Sequence, residues 1–284
     1  MAFNFLKRRS LGEKAEMSFV DHLEVLRGHL FRSAIAVAIG AVIVGVYNKF
    51  FVHTIIMGPT YSDFPTYKIM CKVGHMINME EYMCMQGIGV KMQNTAVGGQ
   101  FSMFFNVILI GGFIIAFPYI FWEFWRFIKP ALNKKELDKT RGVIFWVSLL
   151  FFTGVLFGYF LLAPYTINFF SHFTLDENIE NRWTIASYMD TLIPLILGTG
   201  LAFQLPLVMF FLAKVDIVSA TFLRSTRKYA VVIIFIIAAI ITPGPDIISQ
   251  ISVALPLMIL YEASIILCKK VEKQKIKDDL EEWS

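Results

Sequence analysis

Catalytic machinery is the first absence in this chain. There is no glycine-rich loop with a lysine to cradle phosphates, no His-Glu-x-x-His helix and no Gly-x-Ser-x-Gly elbow, so nucleotide hydrolysis, zinc proteolysis and serine-hydrolase chemistry have no motif behind them. The five histidines, His22, His29, His53, His75 and His172, share no ligand spacing, and neither a metal centre nor a cofactor is expected. Charged residues are thin at 17% of the chain, against 56% hydrophobic residues that include 28 Phe. A composition so poor in polar stretches excludes a separate soluble catalytic domain and points to a helical membrane protein. Cysteine is limited to three residues. Cys71 and Cys84 share one hydrophilic stretch, where an oxidising compartment would let them pair, whereas Cys268 ends the last apolar run and is expected to stay reduced.

The basic residues that are present alternate from loop to loop. Six precede Tyr47, six lie in residues 123–142, four in 214–228 and five after Leu267, against four in 48–97, one in 165–190 and none in 242–246. By the positive-inside bias the richly basic segments are cytoplasmic, which puts both termini inside and requires an even number of spans. Six satisfy it, at about residues 30–47, 101–122, 143–163, 191–212, 229–241 and 247–267. The expected fold is therefore all-α and polytopic: a cytoplasmic basic leader over 1–17, one six-span membrane domain over 18–268 with an external loop at about 48–97, and a charged cytoplasmic tail over 269–284. The net charge of +4 belongs to flanks beside the spans and not to a nucleic-acid surface. Lys7-Arg8-Arg9 superficially resembles a twin-arginine export signal, but Glu13, Glu16, Asp21 and Glu24 separate it from any apolar run. The first span reads as retained, not as a cleaved signal.

The spans are uneven. Residues 229–241 make roughly 20 Å of helix against a hydrocarbon core of about 30 Å, so a short span with local membrane thinning is expected there. The fourth span gathers Gly198, Gly200, Gln204 and Pro206, which predicts a bend near its middle and a polar amide at membrane depth. Glu262, near the end of the last span, is expected either to snorkel toward Lys269 and Lys270 or to serve function. Gly154 and Gly158 form a Gly-x-x-x-Gly pair that predicts close helix packing within the chain.

Ahead of the first span, Ser18 with Asp21 three residues on has a capping-box pattern that starts a helix. Phe19, Leu23, Leu26 and Leu30 then fall within about 60° of one another, giving an apolar stripe that runs on into the membrane. At His22-Leu23-Glu24-Val25-Leu26-Arg27 the chain resembles the TatC family, the multispanning core of the twin-arginine (Sec-independent) protein translocase, which typically carries His-Leu-x-Glu-Leu-Arg there. Further similarities follow in family order: Pro118 with Trp125, Phe127 and Pro130-Ala131-Leu132 before Glu136; Gly154 with Phe157 and Pro164; Phe203-Gln204-Leu205-Pro206; and Thr242-Pro243-Gly244-Pro245-Asp246 before Ser249-Gln250.

That resemblance implies a receptor and scaffold in the bacterial inner membrane that binds the paired arginines of export signals. It implies single-span partners of the TatA and TatB type, a homo-oligomeric assembly in the lipid bilayer, and export of folded proteins driven by the proton gradient without nucleotide. Two adjacent guanidinium groups call for carboxylates that pair with them bidentately. Glu136 stands at the family's signal contact in the loop after the second span, and Glu24 or Asp21, with Arg27, Leu30 and Phe127, is expected to complete the signal-binding set. Gln204 is the expected contact for a partner's membrane helix, with packing against a carbonyl of its own helix as the alternative, and Thr242 with Gln250 forms a second docking candidate. The chain also departs from the pattern. Val25 replaces the usual Glu, His29 the following Arg, Asn106 a frequent Lys and Gln204 a mid-membrane Glu, and Gly244 is inserted in the turn. An ion-coupled small-solute transporter would also use Gln204 and Glu262, but no two-half repeat is visible, and an intramembrane enzyme would need a nucleophile, base or metal set that is absent.

Overall fold

The structure, a computed structural model, describes residues 19–76, 84, 92–129, 142–176, 178, 181–242 and 247–282, with side chains from Leu23 to Lys277 except that of Ile248. The Lys7-Arg8-Arg9 run, Pro130-Ala131-Leu132, Glu136, the 243–246 turn and the side chain of Asp21 lie outside it.

Helix α1, Phe19–Val46, runs unbroken from the stripe before the first span to the span's far end. Few of its side chains are buried. It lies against α3, Gly99–Ile128, and both helices have glycine where they cross. A Cβ on Gly40 would stand 2.6 Å from the Gly112 carbonyl oxygen, and one on Gly112 2.5 Å from the Ala41 nitrogen. Backbones this close need residues without side chains, the usual device of helix pairs in lipid, where van der Waals packing replaces the hydrophobic effect.

Between α1 and α3 the chain makes a π-helical turn at Phe51–Ile56 and a helix α2, Pro65–Met76. Tyrosine hydroxyls pin this segment to the bundle: Tyr159 donates to the Ile55 carbonyl at 2.7 Å, Tyr188 to Ile56 at 2.5 Å and Tyr67 to Pro59 at 2.6 Å. Burial pushes the Tyr67 phenol up to about 12. Cys71 of α2 and Cys84 are joined by a disulfide.

The third rod is α4, Val143–Phe157, which passes through a π turn at Gly158–Leu162 into α5, Ala163–His172. The fourth opens with α6, Ile185–Ile193, capped by the Thr184 side chain accepting from Ser187 N–H. It makes a π turn at Pro194–Gly198, breaks at Phe203 and Gln204, and resumes as α7, Leu205–Lys214. The break lies where the Gly and Pro residues predict a bend. Gly154 and Gly158 let these two rods touch: a Cβ on Gly154 would sit 2.6 Å from the Thr199 carbonyl, and the Thr199 hydroxyl lies 3.0 Å from the Gly154 carbonyl. The expected close packing of the glycine pair is thus met within one chain.

A short helix α8, Ala220–Ser225, with Ser219 as its side-chain cap, leads into α9, Arg227–Ile241. At 15 residues α9 is roughly 22 Å long, shorter than the roughly 30 Å hydrocarbon layer. The last helix, α10, Ile247–Glu282, continues without interruption through the residues expected as a charged tail. Five helical rods are long and apolar enough to cross a membrane, Leu23–Val46, Gly99–Ile128, Val143–His172, Ile185–Lys214 and Ser249–Lys277, and α9 is the short sixth. The core lies among the later rods, around Phe151, Leu162, Leu192, Leu195, Ile234 and Leu257. Glu262 does not reach toward Lys269 and Lys270: its carboxylate pairs with Arg227 at 2.8 Å, because the shortness of α9 brings that guanidinium level with it.

Candidate functional site

Antiparallel packing brings the N-terminal part of α1, the C-terminal end of α3 and the C-terminal end of α7 to one end of the bundle. His29 meets Glu123 there, Trp125 meets Phe211 with ring centroids 5.1 Å apart, and Lys275 donates to the Lys214 carbonyl at 2.6 Å. The 130–141 segment, which contains Glu136, leaves α3 after Lys129 and enters α4 after Gly142, so it joins two helices at this same end.

The expected apolar stripe on α1 faces outward. Leu23 and Leu26 are exposed and Leu30 is 68% exposed, as are Glu24, Val25 and Arg27 between them. A Cβ on Gly28 would meet nothing within 4 Å. Among the described residues, therefore, α1 stands free of the bundle up to His29, with a carboxylate, a guanidinium and a row of leucines on an accessible helical surface. Phe127 is half-buried on α3, its ring edge-on to the His29 imidazole with centroids 6.1 Å apart. His29 thus connects the α1 part of the expected set to its α3 part.

The most distinctive group at this end was not among the expected site residues. Glu123 is 1% exposed, yet it is a carboxylate on a membrane helix. His29 Nδ1 approaches its Oε2 at 2.5 Å, Arg126 Nη1 donates to its Oε1 at 3.4 Å, and Arg32 Nη1 stands 3.7 Å from Oε2. Tyr119, one turn earlier on α3, stands beside the same carboxylate. Tyr119, Glu123 and Arg126 occupy one face of α3 at i−4, i and i+3, while His29 and Arg32 are i and i+3 on α1, so helical periodicity presents both halves of the cluster to each other. A buried carboxylate without partners would be strongly unfavourable, and surrounding cations and hydrogen-bond donors are what make it tolerable. The α3 half was legible as a Tyr-x-x-x-Glu-x-x-Arg spacing; the α1 half was not, because nothing local links residues 94 positions apart.

Gln204, at the break in the fourth rod, is half-buried. Its Nε2 donates to the Val147 carbonyl on α4 at 3.2 Å, and its Oε1 has no hydrogen-bond partner among the described residues. The amide therefore reaches a neighbouring rod, where a carbonyl of its own helix was the alternative weighed from sequence. Thr242 is buried and donates back to the Ala238 carbonyl of its own helix at 2.9 Å, whereas Gln250 Nε2 donates to the Phe235 carbonyl at 3.1 Å and so ties α10 to α9 at the opposite end. Potential ligand atoms of Cys71, His75 and Cys84 lie within 4.8 Å of one another, but the two sulfurs are bonded to each other and offer no thiolate.

The family model described as TatC, Sec-independent protein translocase protein (TatC), matches residues 21–256. The Sec-independent protein translocase protein TatC of Blattabacterium sp. subsp. Periplaneta americana (strain BPLAN) is 40% identical over 264 residues, covering 93% of this chain and 99% of that protein. The protein of the same name from Desulforapulum autotrophicum is 36% identical over 269 residues, 95% of this chain and 90% of that one. Among solved structures, a crystal structure of the twin arginine translocase receptor TatC in DDM superposes with a TM-score of 0.66 at 31% identity over 87% of this chain and 98% of that one. A second crystal structure of that receptor gives 0.63 at 30% identity over 88% and 99%.

Proposed function

This chain belongs to the TatC family, and from that premise we propose that the free α1 segment and the loop after α3 together form the surface that receives a twin-arginine export signal. The protein is a component of the Sec-independent, twin-arginine protein translocase, a multi-pass membrane receptor and not an enzyme. Family membership favours this over the small-solute transporter alternative. The observation that carries the recognition surface is the exposure of Glu24, Arg27 and the Leu23, Leu26 and Leu30 row at the end where the Glu136 loop emerges. An export signal offers paired guanidinium groups followed by an apolar run, and a carboxylate beside an open leucine stripe complements both. The alternation of basic loops supports placing this end in the cytoplasm and the disulfide-bonded loop outside, in a bacterial inner membrane. The test is retention of the purified protein on an immobilised twin-Arg signal peptide and on its Lys-Lys counterpart. Retention on the first and clear loss on the second is expected, and equal retention on both rejects the surface.

Single-span partners of the TatA and TatB type belong to the same proposal, together with assembly of several copies. Gln204 is the polar contact of this proposal: its Nε2 is held by α4 and its buried carbonyl oxygen is unserved among the described residues, a cost that a donor from an adjoining transmembrane helix would relieve. Hydrogen bonds between membrane helices contribute about 1 kcal/mol, so Gln204→Leu is expected to lower partner co-purification roughly five-fold while leaving signal binding intact. Unchanged partner recovery removes this role.

A further inference from the structure

The Glu123 cluster has a role that its burial defines. The carboxylate is enclosed, with one oxygen engaged by His29 and the other by Arg126 and with Arg32 close by, so it presents no free oxygen to an incoming guanidinium. What it holds is α1. Among the described side chains before His29, those of 23–27 are exposed, and Gly28 faces open space. Beyond His29 the two backbones come closest at the Gly40 and Gly112 crossing, three turns away, so the His29 contact lies at the outer end of the α1–α3 seam. Residues 19–28 thus form a helical arm about 15 Å long whose direction is set at its base. A tilt of about 10° at that base moves the arm's tip by roughly 3 Å, enough to lose bidentate geometry at a carboxylate it carries.

We infer that the His29–Glu123 pair is the fulcrum that orients the recognition arm, so that both are positioning residues and neither is a ligand of the signal. The inference rests on the receptor reading above for what the arm recognises, but not for the orientation itself. The geometry is specific to the two helices: His29 and Arg32 approach from α1, Tyr119 and Arg126 from α3, and removing the central carboxylate leaves the imidazole and two guanidinium groups facing one another. The imidazole then loses the acceptor that ties α1 to α3.

The experiment uses the full-length protein in lipid nanodiscs, with spin labels on Val25→Cys in the arm and Phe145→Cys on the first turns of α4, in a Cys268→Ala background. It reads the distance distribution between labels and the affinity for a twin-Arg signal peptide and its Lys-Lys counterpart. Glu123→Gln is expected to broaden the distribution and weaken twin-Arg binding at least ten-fold. His29→Arg, which keeps a hydrogen-bond donor opposite the carboxylate, and the double variant His29→Gln with Glu123→Gln, which replaces the imidazole–carboxylate pair by an amide pair, are expected to retain a narrow distribution, affinity within about three-fold of the parent and the preference for arginine. These two variants also keep the test decisive if Glu123→Gln alone does not fold. A Glu123→Gln protein with an unchanged distribution and affinity overturns the inference, and so does an amide pair that restores arm order without restoring affinity, since Glu123 would then be a direct ligand. If the parent protein ignores the signal, the receptor reading falls, while the distance distributions still decide whether the pair orients the arm.

Discussion

Glu136→Gln is expected to weaken binding of a twin-Arg signal by about 10- to 100-fold at physiological salt, and binding of the Lys-Lys counterpart much less. A charge-assisted hydrogen bond contributes about 1.5–3 kcal/mol, and each 1.4 kcal/mol is tenfold in affinity. The differential follows from geometry: a guanidinium forks onto both carboxylate oxygens, whereas an ammonium is a point charge that loses less when the carboxylate becomes an amide. The competing account is that Glu136 merely pairs with Lys134, Lys135 or Lys139 beside it, a surface interaction of about 0–1 kcal/mol with no consequence for a signal. Against it stands the charge of the loop. With Arg126 and Lys129 at the end of α3 and Lys134, Lys135, Lys139 and Arg141 following, a cationic signal would be repelled unless a carboxylate were committed to it. Calorimetry with the purified variant checks the value, and wild-type affinity in Glu136→Gln removes the clamp. Asp21→Asn and Glu24→Gln belong to the same series. One is expected to be sensitive and the other silent, since the carboxylate absent at Val25 needs a single substitute, and Val25→Glu is expected to bind as well as the parent or better.

Much of the architecture was legible because its causes are local. Loop charge and span length are properties of consecutive residues, and they indicated six helical rods, the shortness of α9 and the all-helical class. The break in the fourth rod was legible for the same reason: Gly198, Gly200 and Pro206 act on their own backbone, and the helix gives way at Phe203 and Gln204 between them. The α1 residues proposed for recognition stand out in sequence as a motif, and the structure adds that their helix is continuous with the span and that its side chains from Leu23 to Arg27 are exposed. Long-range partners were not legible. Glu262 was read against the lysines nearest in sequence, and its partner, Arg227, comes from a helix 35 residues away. Glu123 carries no local signal of its α1 partner in the sequence, and His29 stands there only as a departure from a family arginine. Only the register of α1 on α3 makes them a pair.

That register depends on two glycines, and Gly112→Ala is expected to be among the most disruptive single changes in the chain. A methyl at position 112 would stand 2.5 Å from the Ala41 nitrogen, 2.9 Å from Ala41 Cα and 2.9 Å from the Val37 carbonyl oxygen. All three are backbone atoms of α1, so no rotamer change can make room. The helices must separate, and overpacking of this kind costs about 1–3 kcal/mol. Because α1 buries few side chains elsewhere, little opposes its displacement. Gly45→Ala is the control. It lies on the facing helix α1, its added methyl would meet only Ile108 Cγ2 at an ordinary 3.8 Å, and alanine is the better helix former by about 1 kcal/mol in water. Thermal unfolding in detergent is therefore expected to show Gly112→Ala clearly destabilised and Gly45→Ala unchanged or improved, and a Gly112→Ala protein as stable as its parent sinks the close-crossing account. A second readout follows the force along the helix. Separation of α1 from α3 at the crossing also draws His29 away from Glu123, so twin-Arg signal affinity is expected to fall in Gly112→Ala although the substitution lies about three helical turns from the residues proposed to receive the signal.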